Sequence, residues 1–404
     1  MSILHSILKT KSGALIQIDK ELSFGGQGKV YLAINKKSHE PVVVKIFNNK
    51  GNKAALIHRI QFLISMQKEY PCKRIIFPND LIQNNIMIGH CTPFVEGISL
   101  EEYLMKSGSS FSDRIEIALS IAWQFNHLHK LGIAHGDIRA QNFIIHDKNV
   151  YCIDLDNFTH QSTPQPNMVG ETLYLSPEQR EAFNNNIYYS PTIETDLYQL
   201  GILFHEILLL LHPAYGFDNT QEEFEQAMNG VWRLDPTTSN GAKNFSISIL
   251  NYNLCNLFRK ALLKCPTMRT ISYEWIQALN DARDRLYLCP KCSFPVIIDV
   301  SRKSCPNNHL FKQLGILNIR TNKEIAFDRN SFFIGREHLN NDLKISSNHL
   351  LISRIGPELW IEHLGTNKTQ IKQKQTWFDL PKNKKIKLFK NDIIQIMNHK
   401  LRVI

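Results

Sequence analysis

The feature that most restricts what this chain can become is a glycine cluster, Gly25, Gly26 and Gly28, set between two runs with strand character. In LSFGGQGKVYLA, beginning at Leu22, apolar positions alternate around the glycines, and PVVVKIF from Pro41 is a β-branched run. The pattern predicts a strand, a flexible glycine turn and a second strand. Backbone without side chains can approach a phosphate and donate N–H bonds to it. An ordinary hairpin using glycine for φ > 0 has the same appearance, so the cluster gains meaning only from the motifs downstream of it.

Those motifs come in a set order. Lys45 stands on the second strand run, in VVVK; HGDIRAQN spans His135 to Asn142, and IDLD spans Ile153 to Asp156. Helical periodicity marks Ala54 to Met66, Ile115 to Leu131, Leu197 to Leu211 and Tyr273 to Leu288, so a helix-rich middle succeeds a strand-rich start. The expected class is α+β with two lobes. No fixed-period repeat is present, which excludes solenoids and propellers.

On these motifs, together with SPE at Ser176 to Glu178, Asp196 in ETDLYQLG and Arg269 in PTMRT, residues 13–285 resemble a protein kinase domain. More narrowly they resemble bacterial eukaryotic-like serine/threonine kinases of tellurite-resistance clusters, which work beside a phosphatase and a metal-adhesion-type domain protein. The resemblance implies ATP with Mg²⁺ or Mn²⁺ and a protein hydroxyl as substrate. Lys45 would meet the α/β-phosphates, Asn142 and Asp154 would hold the metal, and Asp137 would orient the hydroxyl. Arg139, in place of the usual lysine, would stabilise the transferring phosphoryl with a planar fork. Gly25, Gly26, Gly28 and Val30 would cover the nucleotide. Alignment of HCTPFVEGISL on EGISL places Thr92 behind the adenine, with the Pro93 carbonyl and the Val95 N–H along the hinge.

The match also fails in places. No acidic residue occurs from Ile46 to Lys68, and the position of the helix glutamate that pairs with the strand lysine falls at Arg59. Gln61 offers only a neutral hydrogen bond in another register, so Lys45 is expected to lack an acidic partner. Gly136 replaces the arginine that receives an activation-loop phosphate, which weakens the case for control through Thr172. DLD stands for DFG, and Glu171 for a threonine. These departures favour an alternative, a pseudokinase scaffold that binds nucleotide and phosphopeptide without turnover.

A chain of 404 residues exceeds what one core supports, so further domains are expected. Of eight cysteines five are scattered, which suits reduced thiols rather than a disulfide framework. Within residues 286–312, Cys289, Cys292, Cys305 and His309 have the spacing of a tetrahedral zinc ribbon with a closed, structural Zn²⁺. The bland alternative is three buried thiols and a surface histidine. From Ser301 onward nineteen Lys and Arg face eight Asp and Glu, so the carboxyl end suits an anionic ligand or is simply a solvated basic face.

Residues 314–404 read as short strands, and through FFIGR, NDLKISSNHLLI, LWIEHLGTNKT and LFKNDIIQI they resemble a forkhead-associated domain. That all-β sandwich reads phosphothreonine, and the resemblance assigns the phosphopeptide to Arg336, Ser346, Ser347 and Asn367, with His349 bracing the loop. Lys368 replaces the usual glycine of NGT, the loop before SSNH is short and one residue is missing between Gly365 and Asn367, so a sandwich that only packs or binds protein is the competing reading. The implied partners are a protein substrate, a phosphothreonine protein and a cognate phosphatase. Nucleic acid is not favoured. The amino terminus lacks a secretory pattern and the most apolar stretch, Leu200 to Leu211, is too short for a bilayer, so a cytoplasmic protein without a membrane partner is expected.

Overall fold

The computed structural model describes residues 3–404 apart from 25, 49–51, 107, 164–170, 215–224, 226–227, 238–244, 299–301, 303, 311–314, 326–330 and 356–357. The chain divides into two compact units, Met1–Arg233 with Asn256–Ile276, and Leu234–Cys255 with Gln277–Ile404.

The first unit opens with strands β1 (Ile7–Lys9), β2 (Leu15–Phe24), β3 (Gly28–Asn35) and β4 (Pro41–Phe47), then helix α1 (Lys53–Glu69) and strands β5 (Asp80–Gln83) and β6 (Ile88–Pro93). The strands form one antiparallel sheet in the order β1-β2-β3-β4-β6-β5. Alternation decides its faces: Ile16, Ile18, Tyr31, Ala33, Val42 and Val44 enter one core while their neighbours point away. The Asn52 side chain starts α1 by accepting from the N–H groups of Ala54 and Ala55 at 3.0 and 3.2 Å, a cap worth about 1 kcal/mol. Arg59, Ile60, Leu63 and Met66 form the buried face of that helix.

Next come β7 (Ile98–Ser99), α2 (Leu100–Met105), α3 (Phe111–Lys130), β8 (Phe143–His146), β9 (Asn149–Cys152), α4 (Pro177–Asn184), α5 (Ile193–Leu209), α6 (Tyr252–Ala261) and α7 (Ser272–Asp284). A capping box between Ser110 and Asp113 opens α3. Its buried Ile115, Ala118, Ile121, Ala122, Phe125 and Leu128 keep the three-and-four spacing, and each large side chain contributes roughly 1.5–3 kcal/mol of burial. Helix α5 stops where Leu210 turns left-handed, φ 57°. Phe204, Phe258 and Trp275 stack edge to face at centroid distances of 5.0 Å behind it.

The periodicity expected through Leu288 ends earlier. After Asp284 the chain leaves α7 and forms β10 (Leu286–Leu288), paired antiparallel with β11 (Pro295–Ile297). Pairing wins because it carries Tyr287 and Val296 into a small core with Cys289, Ile298 and Cys305.

From Ile316 the described elements are strands apart from one short 3-10 turn at Arg336–His338: β12 (Ile316–Asn318), β13 (Lys323–Ile325), β14 (Ser331–Ile334), β15 (Leu350–Ile355), β16 (Glu358–His363), β17 (Thr369–Gln373), β18 (Thr376–Asp379), β19 (Lys385–Leu388), β20 (Ile393–Ile396) and β21 (His399–Val403). Two sheets, ordered β13-β12-β21-β20-β17-β18 and β14-β15-β16-β19, share one core that includes Ile316, Ile334, Ile352, Ile361, Ile371, Ile394 and Leu401. In β21 the core-facing His399, Leu401 and Val403 alternate with exposed Lys400 and Arg402. Among the described residues no helix is long and apolar enough to cross a membrane.

Candidate active site

The glycine turn between β2 and β3 roofs a cleft of about 550 Å³ lined by Ser23, Phe24, Gly26, Gln27, Gly28, Val30, Lys45, Asp137, Arg139, Asp154, Asn157 and Glu171. Gly28 is required where it stands, since a Cβ there would lie 2.2 Å from the Ile46 carbonyl oxygen. Asn48 donates to the Gly26 carbonyl at 3.0 Å, and Gln27 donates to the side-chain oxygen of Asn157 at 2.5 Å, which ties the turn to the floor. Gly25 lies outside the described residues.

Register sets Lys45 opposite Val30. Contrary to the sequence expectation, this lysine has acidic partners. Its Nζ lies 2.9 Å from Asp154 Oδ1 and 2.5 Å from Asp156 Oδ2, and Asp156 Oδ1 meets His90 Nε2 at 2.9 Å. Nothing near α1 in the sequence points to Asp156, which lies more than a hundred residues beyond Lys45 at the second acidic position of IDLD. Burial alone would weaken the Lys45 ammonium, but the charges of Asp156 and Asp154 overcome it and hold its proton more tightly than in a free lysine. Burial likewise opposes ionisation of Asp156, yet Lys45 and His90 hold that carboxyl well below the usual range.

Arg59, at the expected glutamate position of α1, serves the same segment. Its Nη1 donates to the Thr163 carbonyl at 3.0 Å, and its Nη2 to the carbonyls of Asp156 at 3.0 Å and Phe158 at 2.5 Å. Burial draws its guanidinium down to about 10, still charged at neutral pH. The missing acid on α1, a basic residue in its place and an extra acid at 156 together were the available sequence signal.

Helix α5 positions the HGD turn. Asp196, fully buried, accepts from the backbone N–H groups of His135 at 2.7 Å and Gly136 at 2.9 Å, while Gln199 accepts from Ile138 N–H at 2.9 Å. Gly136 has φ +79°. Asn142 donates through Nδ2 to the Asp137 carbonyl at 2.7 Å and to Asp137 Oδ2 at 3.1 Å, which leaves its Oδ1 as the oxygen able to meet a cation. Asp154 takes a left-handed backbone, φ 59° and ψ 60°, and its side chain is partly open to the cleft. Arg139 links Asp137 Oδ2, 3.5 Å from Nε, to Glu171 Oε2, 2.9 Å from Nη1. An aspartate and an amide oxygen are hard donors of the kind Mg²⁺ selects.

A family profile described as protein kinase domain matches residues 16–278, more than half of the chain. The chain belongs to the protein kinase family. A probable serine/threonine-protein kinase PknB of Lactococcus lactis is 24% identical over 255 residues, 60% of this chain and 39% of that protein. Serine/threonine-protein kinase PknD of Protochlamydia amoebophila is 24% identical over 263 residues, 55% of this chain and 26% of that protein. A carbon catabolite-derepressing protein kinase of Candida tropicalis is 28% identical over 247 residues, 59% and 38% of the two chains. The chain thus spans between a quarter and two fifths of the length of these relatives.

Of the residues expected around the kinase nucleotide, Gly26, Gly28, Val30, Lys45, Asp137, Arg139 and Asp154 line the cleft, and Asn142 lies buried behind Asp137. Pro93 ends β6 opposite Val42, and neither Pro93 nor Val95 belongs to that lining.

In the second unit Cys289, Cys292, Cys305 and His309 converge, their ligand atoms all within 4.8 Å of one another. Cys292 Sγ lies 3.8 Å from Cys305 Sγ, and Cys289 Sγ lies 3.5 Å from His309 Nδ1. Tetrahedral zinc with Zn–S near 2.3 Å has sulfur–sulfur edges of about 3.8 Å, so the spacing suits such an ion. Left-handed Ser293 and Asn308 turn the two knuckles, closed by Ser293 N–H to Cys289 O at 2.7 Å and Asn308 N–H to Cys305 O at 2.9 Å. Hydrogen bonds, first from Asn307 and then from the Phe294 backbone, draw the Cys292 thiol below its ordinary value, toward the thiolate form that ligates a metal.

At the sandwich edge Arg336 comes just after β14, and its N–H donates to the Ser346 carbonyl at 3.3 Å, which brings it beside Ser346 and exposed Ser347. Asn367 directs its Nδ2 to the Lys344 carbonyl at 2.5 Å, bracing the loop two residues before Ser346. His349 is fully buried, with Nε2 3.0 Å from Thr369 Oγ1.

Proposed function

We propose that this chain is a serine/threonine protein kinase that transfers the γ-phosphoryl group of ATP to a protein hydroxyl. The observation that carries the reading is the meeting of Lys45, Asp137 and Asp154 in one cleft beneath the glycine turn. Lys45 binds the α/β-phosphates, and the turn closes over them with its backbone N–H groups. Asp137, held by Asn142 and Arg139, orients the substrate hydroxyl and accepts its proton. Arg139 then faces the charge that develops on the transferring phosphoryl. Asp154 and Asn142 Oδ1 are the residues that would hold Mg²⁺ or Mn²⁺, which would supply neutralisation of phosphate charge. The hinge carbonyl of Pro93 and the N–H of Val95 would read the adenine.

The second unit completes the proposal. Cys289, Cys292, Cys305 and His309 hold a structural Zn²⁺ that fixes the hairpin of β10 and β11. The sandwich is a forkhead-associated module in which Arg336, Ser346 and Ser347 receive a phosphothreonine of a partner protein, with a phosphatase as the opposing enzyme. Its excess of Lys and Arg supports an anionic ligand.

Full-length protein incubated with labelled ATP and Mg²⁺ or Mn²⁺ should phosphorylate itself or a generic protein substrate well above Asp137→Asn. Transfer no greater than in that variant would leave only a nucleotide-binding scaffold. Phosphothreonine peptides should bind the wild type and not Arg336→Ala; equal, negligible binding by both would reject the reader.

A further inference from the structure

Resting on the phosphotransfer reading of this cleft, we infer that Asp156 is the residue that positions Lys45, replacing a carboxylate on α1. Lys45 has two carboxylates beside it, and their surroundings assign them different work. Asp154 has a side chain 34% exposed, open to the cleft where a metal would lie, whereas that of Asp156 is 5% exposed. Asp154 is therefore free to turn to a cation, while Asp156 is committed to Lys45 and His90. When the nucleotide arrives, Asp156 remains.

A structural role alone does not explain the arrangement. Both oxygens of Asp156 face side chains, His90 Nε2 at 2.9 Å and Lys45 Nζ at 2.5 Å, rather than capping backbone. Arg59 secures the segment by donating to the carbonyls of Asp156 and Phe158 themselves. Helix α1 thus contributes to the lysine through the backbone that carries Asp156, with a cation where a carboxylate was expected. Asp156 acts through Lys45 and is a positioning residue.

Two measurements on the full chain test this. The first is a stability cycle among Lys45→Met, Asp156→Asn and Asp154→Asn, read as Tm and independent of turnover. Lys45→Met with Asp156→Asn should lose no more Tm than the worse single variant, and that coupling should exceed the one between Lys45→Met and Asp154→Asn, whose 2.9 Å contact is the more exposed of the two. The second is kinetic: Asp156→Asn should lower kcat on the order of 10²-fold with KM for ATP within about threefold, because an ill-placed lysine still attracts phosphate but fails in the transition state. Additive Tm losses for Lys45 and Asp156, or full kcat in Asp156→Asn, overturns the inference. Should Asp156→Asn not fold, His90→Gln carries the kinetic test, with a smaller kcat loss at unchanged KM expected and unaltered kcat refuting it. Absence of transfer from the wild type would instead reject the kinase reading, and the stability cycle would still decide the pairing.

Discussion

Gly136, at the centre of the HGD turn, offers a quantitative test. Its φ is +79°, and a Cβ built there would lie 2.7 Å from the carbonyl oxygen of Asn157 and 3.1 Å from Cβ and Cγ of Pro191. An alanine in left-handed backbone costs about 1 kcal/mol more than glycine. The contacts add about 1–3 kcal/mol, because one obstacle is backbone and the other a proline ring. Gly136→Ala should therefore destabilise the first unit by about 2–4 kcal/mol. For a unit of this size that lowers Tm by roughly 4–16 °C. Gly13 supplies the control, for its φ is +95° with nothing within 4 Å of a built Cβ, so Gly13→Ala should show only the backbone cost of about 1 kcal/mol. Calorimetric unfolding of the full chain, tracking the transition of the first unit, reads both. If Gly136→Ala falls within about 0.5 kcal/mol of Gly13→Ala, the steric part of the reasoning is wrong. The same geometry implies that inserting the arginine usual in kinases at this position would break the turn rather than create a phosphate receptor.

Burial pushes the Glu206 carboxyl up to about 7 against a hydrogen bond from Tyr174 Oη at 2.7 Å. A carboxyl raised on folding gives stability that is complete below its unfolded value and lost as pH rises through the folded one, so Glu206→Gln should gain on wild type between pH 4.5 and 7 by up to about 3 kcal/mol; a Tm difference independent of pH would refute it. Arg269, its side chain fully buried, forks onto Glu178 at 2.6 and 2.7 Å, so Arg269→Met should cost about 3–5 kcal/mol in denaturant melts and Arg269→Lys should recover only part of that. Elemental analysis should find one zinc per chain, lost in Cys305→Ser, and chelation should lower the melting of the second unit while leaving that of the first.

Much of the fold was legible because its signals are local. Alternation around the glycines specified β2 and β3, and apolar spacing specified α1, α3 and α5, whose caps at Asn52, Ser110 and Thr192 agree with it. The pairing of Leu286–Leu288 was not legible, since a short apolar stretch continues a helical period as readily as it starts a strand. The order and spacing of the motifs, through their resemblance to kinases, led to the expectation that Lys45, Asp137 and Asp154 meet, and they line one cleft. The partner of Lys45 could not be read that way, because contact across the sheet and the IDLD segment has no counterpart in sequence distance. The motif ETDLYQLG singles out Asp196, but its hydrogen bonds to the HGD turn show only in three dimensions.

The charges around Lys45 also bear on how such a site can change by mutation. A carboxylate at position 59 alone would give up the donors to the Asp156, Phe158 and Thr163 carbonyls, while neutralising Asp156 alone would leave Lys45 with Asp154 as its acid. Either single step removes a buried partner before its replacement is in place, so a paired exchange is the less costly route between the two arrangements. Lineages that carry the acid on the IDLD segment should then keep an arginine on the helix, the two positions varying as a unit.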